Sequence, residues 1–270
     1  MRINIDHETV YDYDGVIIHS AQYLRLTPPG NESQRVIRWH IDAPGHTAQW
    51  RDAYGNCCMT LVVDDPREQI RIHAIGQVET RDTSGVLRPA EADPPPDIFL
   101  RHTAATRPGE ELRDFALGFA GAVTKDRLKG LHEIVGGLRE RVAYQAGATH
   151  VATTANEAFE LGAGVCQDHT HLFLSVCRHL GIPARYVSGY LCDDATLSAG
   201  GPASHAWAAA WVDDLGWVSF DVSNECCGTE RHVGLAIGLD YADTAPMRGI
   251  RTGGTGPESM TVSLRVVDSQ

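Results

Sequence analysis

Three consecutive prolines, Pro94, Pro95 and Pro96, separate two stretches whose hydrophobic rhythms differ. Proline fixes φ and carries no N–H, so a run of three continues neither a helix nor a central strand. Upstream, the apolar residues alternate. In RVIRWHID, residues 35–42, Ile37, Trp39 and Ile41 fall on one face, and in EQIRIHAIGQV, residues 68–78, Ile70, Ile72 and Ala74 do the same. DAYGN (52–56) and LTPPGNESQ (26–34) bring turn residues between strand-like runs. Residues 1–95 therefore predict an all-β N-terminal domain.

Downstream the period changes to that of a helix. Leu112, Phe115, Ala116 and Phe119 form one stripe; Leu128, Leu131, Ile134, Val135, Leu138 and Val142 form another. TANE (154–157) is a capping box ahead of a short helix that Gly162 ends. A further helix opens at Cys166 and is stopped by Gly181 and Pro183. ARYVSGYL, SHAWAAAWVDD and GWVSFDV then read as strands, the last two joined at 213–216, and a tail strand alternates at Val262, Leu264 and Val266. Helices followed by an antiparallel sheet give an α+β class, with 100–270 as one core domain that ends in its own C-terminal strand.

The formal charge of −12 argues against a nucleic-acid partner and against docking on an anionic membrane, since both need a basic face. The first fifteen residues lack the apolar segment of a signal peptide, and no apolar run approaches the ~18 residues of a span. Seven cysteines, an odd count that includes the adjacent pairs 57–58 and 226–227, fit reduced thiols in a cytoplasm. The N-terminal sheet domain, residues 1–95, fits either substrate presentation or assembly of a homo-oligomer.

Cys166 follows Gly162-Ala-Gly-Val and opens a helix. A helix N-terminus favours a thiolate, glycines let a substrate approach the backbone, and the Cys166 N–H points where an oxyanion could sit. Taken alone, the pattern fits a small buried cysteine better. A nucleophile needs a base and the base an orienting partner, and His205 and Asp221 supply them if the hairpin register puts both on one face toward the Cys166 helix. The spacing C-x2-H-x-H-x5-C over Cys166, His169, His171 and Cys177 departs from zinc patterns, and residue 171 leaves the shared helix face, so no metal is expected. No cofactor is expected either.

The segments GAGVCQDHTHLFLSVCRHLGIPARYVSGYL, SHAWAAAWV and GWVSFDVSN together resemble the transglutaminase-like superfamily, specifically bacterial members with a transglutaminase-like N-terminal region; DAYGN and GLDYADTAPMRG resemble that subfamily too. The resemblance implies a papain-like core and places nucleophile, base and orienting acid on Cys166, His205 and Asp221. It implies a peptidase or amidase acting on a peptide or protein through a thioester. Transfer to an amine and non-catalytic binding are the alternatives. Three positions depart from the family. Val222-Ser223 replaces the usual Pro-Thr, Leu239 stands where relatives often have arginine, and no tryptophan lies between Trp50 and Trp207 to act as second oxyanion donor. Tyr144 or Gln167 could substitute, His169 could border the site, and Tyr190 and Trp207 could touch substrate or simply pack.

Overall fold

The computed structural model describes residues 1–90, 93–192, 204–254, 256 and 258–268. The N-terminal part contains β1 (Arg2–Leu24), β2 (Gln34–Asp42), β3 (His46–Arg51), β4 (Cys57–Val63) and β5 (Arg67–Thr80). Next come β6 (Val86–Leu87), a 3₁₀ turn at Pro96–Leu100, α1 (Glu110–Leu117), α2 (Ala120–Lys125) and α3 (Arg127–Arg141). The chain continues through β7 (Ala143–Tyr144), α4 (Ala155–Leu161), β8 (Ala163–Gly164), α5 (Cys166–His179), β9 (Ala184–Leu191), β10 (Ser204–Val212) and β11 (Gly216–Asp221). It ends with β12 (Cys226–Cys227), β13 (His232–Gly238), α6 (Tyr241–Thr244), β14 (Met247–Gly253) and β15 (Glu258–Asp268).

A seven-stranded antiparallel sheet has the order β2-β5-β1-β4-β3, and β14 and β15 pair with β1. The long β1 breaks its register with β5 between Asp12 and Ile17, around Gly15, whose φ of +91° suits glycine. The six-stranded core sheet runs β12-β11-β10-β9-β13, with β6 on β11. Sheets and helices make an α+β fold with an all-β N-terminal region.

Two expectations about the chain's division are corrected. The C-terminal strands complete the first sheet instead of extending the core, and β6, upstream of the prolines, belongs to the core sheet. Pairing β14 and β15 to β1 satisfies main-chain groups that would otherwise be an open edge. Ile37 is also corrected: a bulge between Val36 and Arg38 turns it outward, 42% exposed, while Ile70, Ile72 and Ala74 stay buried.

The helices follow their sequence signals. Thr154 and Glu157 exchange the side-chain-to-backbone bonds of a capping box, and Gly162 ends α4 at φ +69°. Leu131, Ile134 and Leu138 of α3 pack with Phe173 and Val176 of α5 against the core sheet. Ala206, Ala208 and Ala210 of β10 belong to this cluster, and their small size lets α5 lie close to the strand.

Side-chain amides join the first sheet to β13. Gln34 donates to the Gly234 carbonyl and accepts from its N–H, both at 2.8 Å; Asn56 does the same at Ile237, again both at 2.8 Å. Asn56 belongs to the DAYGN hairpin, where Tyr54 also donates to Asp243 Oδ2 at 2.8 Å, so the two peripheral motifs meet. Each amide acts as a short piece of strand for an edge that would otherwise bury unpaired groups.

Candidate active site

Cys166 occupies the first position of α5 and is partly exposed. Its N–H belongs to the first helical turn, where backbone donors lack intrahelical acceptors. Asp168, buried in the same turn, accepts from the Val165 N–H at 2.8 Å and from the Thr149 hydroxyl at 2.6 Å. That carboxylate fixes the approach to Cys166 from the glycine segment. Gly164 leaves room for it, since a Cβ there would lie 2.6 Å from the Asp168 Cβ.

His205 and Asp221 come from adjacent strands. The β10–β11 register pairs Ala208 with Phe220, which puts His205 and Asp221 on the same face. His205 Nε2 lies 2.7 Å from Asp221 Oδ2, and Asp221 is fully buried. The expected orientation needs one correction: the helix body is faced by the alanines of β10, while His205 shares the alternate side with Trp207. Standing near the end of the strand, His205 still interacts with the thiol. Burial disfavours its imidazolium, but hydrogen bonds with Asp221 and Cys166 outweigh this and push its pKa up to about 10. With Nε2 turned to Asp221, Nδ1 is the nitrogen left for Cys166.

Burial likewise opposes the Asp221 carboxylate. Hydrogen bonds from His205 and His232, the His205 charge and Asn224 together hold its pKa well below the usual range. His232 and Asn224 gave no signal in the sequence. Asn224 Nδ2 donates to Asp221 Oδ2 at 2.7 Å and its N–H to Oδ1 at 3.2 Å, an Asx-type turn closing on the carboxylate. His232 Nδ1 accepts from the Thr229 N–H at 3.1 Å, so its Nε2 carries the proton donated to Asp221 Oδ2 at 3.1 Å. Ligand atoms of His205, Asp221 and His232 lie within 4.8 Å of one another, a spacing that could hold a cation. Hydrogen bonds already account for this cluster, and metal binding would require both Nε2 protons to leave.

The remaining sequence candidates separate. Trp207 is buried, stacks on His205 at a centroid distance of 6.1 Å and meets His232 edge-on at 5.0 Å. Tyr144 pairs across β7–β8 with Gly164, two residues before the cysteine. Burial raises its phenol pKa, and Cys166 and Asp221 add to the rise. His169 is fully buried. Its Nε2 donates to the Val142 carbonyl at 3.0 Å, and its Nδ1 accepts from the Ser223 hydroxyl at 3.0 Å. The Ser223 that departs from the family pattern thus anchors the turn after Asp221 to α5. Gln167 directs one N–H of its side-chain amide to the Val151 carbonyl at 2.9 Å. Tyr190 is corrected as a substrate contact: it is 1% exposed and its hydroxyl meets His7 Nδ1 at 2.8 Å.

Helices packed on an antiparallel core sheet, with a thiol at a helix start and an imidazole and carboxylate on neighbouring strands, define the transglutaminase-like architecture of cysteine-dependent enzymes. Residues 113–222 match the transglutaminase-like superfamily and residues 3–79 match the bacterial transglutaminase-like N-terminal region. The chain belongs to this family. An uncharacterized protein of Mycobacterium leprae is 31% identical over 265 residues, covering 93% of this chain and 94% of that protein. One from Mycobacterium tuberculosis is 30% identical, covering 98% and 92%. The crystal structure of a candidate cysteine protease from Cytophaga hutchinsonii has the same fold, with a TM-score of 0.75, 23% identity, and coverage of 100% of this chain and 92% of that one.

Proposed function

We propose that this protein is a Cys-His-Asp hydrolase that cleaves amide bonds of a peptide or protein through a thioester on Cys166. The observation that carries the reading is the His205 imidazole, 2.7 Å from the buried Asp221 carboxylate and near enough to the Cys166 thiol for the sulfur to help raise its pKa. The thiol proton passes to Nδ1 of His205, and the sulfur attacks the amide carbonyl. The Cys166 N–H and the Tyr144 hydroxyl donate hydrogen bonds to the developing oxyanion, at about 3 kcal/mol per donor in comparable sites. His205 returns the proton to the leaving amine. Water, activated by the same imidazole, then attacks the thioester to release acid and free thiol. Asp221 holds the ring orientation and favours its charged form.

Water is favoured over an amine as acceptor because transfer must compete with ~55 M solvent, which calls for a dry acceptor channel. Trp211 and Trp217 are taken up by packing on each other at 5.4 Å. The test is intact-mass trapping with iodoacetamide in wild type and Cys166→Ala, followed by turnover of a peptide library with and without added amine. Single labelling lost in Cys166→Ala, with hydrolysed product and no amine adduct, is expected. Predominant amine adducts would make the protein a transferase; a folded protein with no label on Cys166 would leave only binding.

A further inference from the structure

A cavity of about 310 Å³ lies behind the core sheet, on the side away from α5. The turns of the first sheet, with Leu87 and Ala90, border it, and Val187, Trp207, Ala209 and Ile237 form an apolar wall. Arg185 of β9 lines it and is only 6% exposed. Its guanidinium stacks on the Trp217 ring at 4.2 Å, which engages the flat face and leaves the N–H groups at the rim. Among the described residues no acceptor takes a hydrogen bond from that rim, and Nε is fully enclosed without a partner. Asp93 lines the same cavity and its charge acts favourably on Arg185, but the two do not come within ion-pair distance.

A buried guanidinium with its fork unused is costly and is ordinarily paired. Arg51, at the same cavity, is tied to the Gly55 carbonyl at 2.7 Å, whereas among the described residues Arg185 keeps its fork unused. The planar fork of arginine matches a carboxylate. Glu32 and Asp93 at the cavity edge disfavour a dianion such as phosphate. The apolar wall favours a hydrocarbon or aromatic body.

We infer that this cavity is a second ligand site, separate from Cys166, which takes a small monocarboxylate with its carboxylate on Arg185 and its apolar body against Trp207 and Val187. The site does not depend on the hydrolase reading. 4-Bromophenylacetate is a suitable probe, with the neutral 4-bromophenylacetamide and inorganic phosphate as controls. Calorimetry on the full chain is expected to show saturable binding of the acid, unchanged in Cys166→Ala and weakened at least tenfold in Arg185→Gln, with the amide and phosphate at least tenfold weaker in wild type. Bromine anomalous density from a soaked crystal is expected in the cavity with the carboxylate on Arg185. That density and the amide control decide the matter even if Arg185→Gln fails to fold. Equal binding of acid and amide, no saturable binding in wild type, or bromine density only beside Cys166 would each overturn the inference.

Discussion

Nε2 of His205 lies 2.7 Å from a fully buried oxygen of Asp221, and that contact sets which ring nitrogen is left for the thiol. The folded-state pKa of His205, about 10, lies above its ordinary 6.5. Its contribution to stability is therefore complete below pH 6.5 and disappears as the pH rises through about 10. Asp221, held below its ordinary value, contributes above the usual carboxylate range and stops doing so as the pH falls through its depressed value. Asp221→Asn removes the charge that favours the imidazolium. The alkaline limb of the pH profile for Cys166 alkylation is expected near pH 10 in wild type and displaced toward neutrality in the variant. An unmoved limb would show that Asp221 does not set the charge state of His205.

His232 acts on the same oxygen from the other side and is a positioning residue. A hydrogen bond to a charged group contributes about 1.5–3 kcal/mol, which corresponds to about 10- to 150-fold in rate. His232→Ala is expected to lower kcat by that factor with KM nearly unchanged, and His232→Gln, which can still donate, to recover part of it. A change confined to KM, or to thermal stability, would deny the positioning role.

Local features of this chain were legible in its sequence. The Thr154–Glu157 capping box, the Gly162 stop, the start of α5 at Cys166 and the DAYGN hairpin each rest on contacts between residues close in the chain. The pairing of His205 with Asp221 was legible only as a condition, because the register that puts them on one face depends on the 213–216 turn. The features that escaped are non-local. Nothing near residue 262 says that β15 will pair with β1, nothing around Ile37 announces a bulge, and His232 reaches Asp221 only because β13 lies beside β9. Tyr190 misled for a related reason. Its residue type suits a site, but His7, 183 residues away in sequence, had already engaged it.

Gln34 and Asn56 are expected to stabilise the chain across the two sheets. Each is buried and satisfies both the N–H and the C=O of one β13 residue. Replacing either by alanine leaves a backbone donor and acceptor without partners, at about 1–3 kcal/mol. Their β13 partners, Gly234 and Ile237, are separate residues, and the double variant is expected to be roughly additive by urea unfolding. A single variant within 0.5 kcal/mol of wild type would mean that water replaces the amide there.

Tyr144 and Gln167 can be separated as oxyanion donors by kinetics. Gln167 already donates one amide N–H to Val151, so Gln167→Ala is expected to change kcat by less than about threefold. Tyr144 is half exposed and close enough to Cys166 and Asp221 for both to raise its phenol pKa, after burial. Tyr144→Phe removes the hydroxyl and keeps the ring against His169, at a centroid distance of 6.0 Å. Losing one oxyanion donor costs roughly 100-fold in kcat or more. A loss of that size is expected for Tyr144→Phe on an amide substrate, with the rate of iodoacetamide alkylation unchanged, since alkylation forms no oxyanion. If alkylation falls in parallel, Tyr144 acts on the thiol rather than on the carbonyl; if neither changes, the second donor is elsewhere.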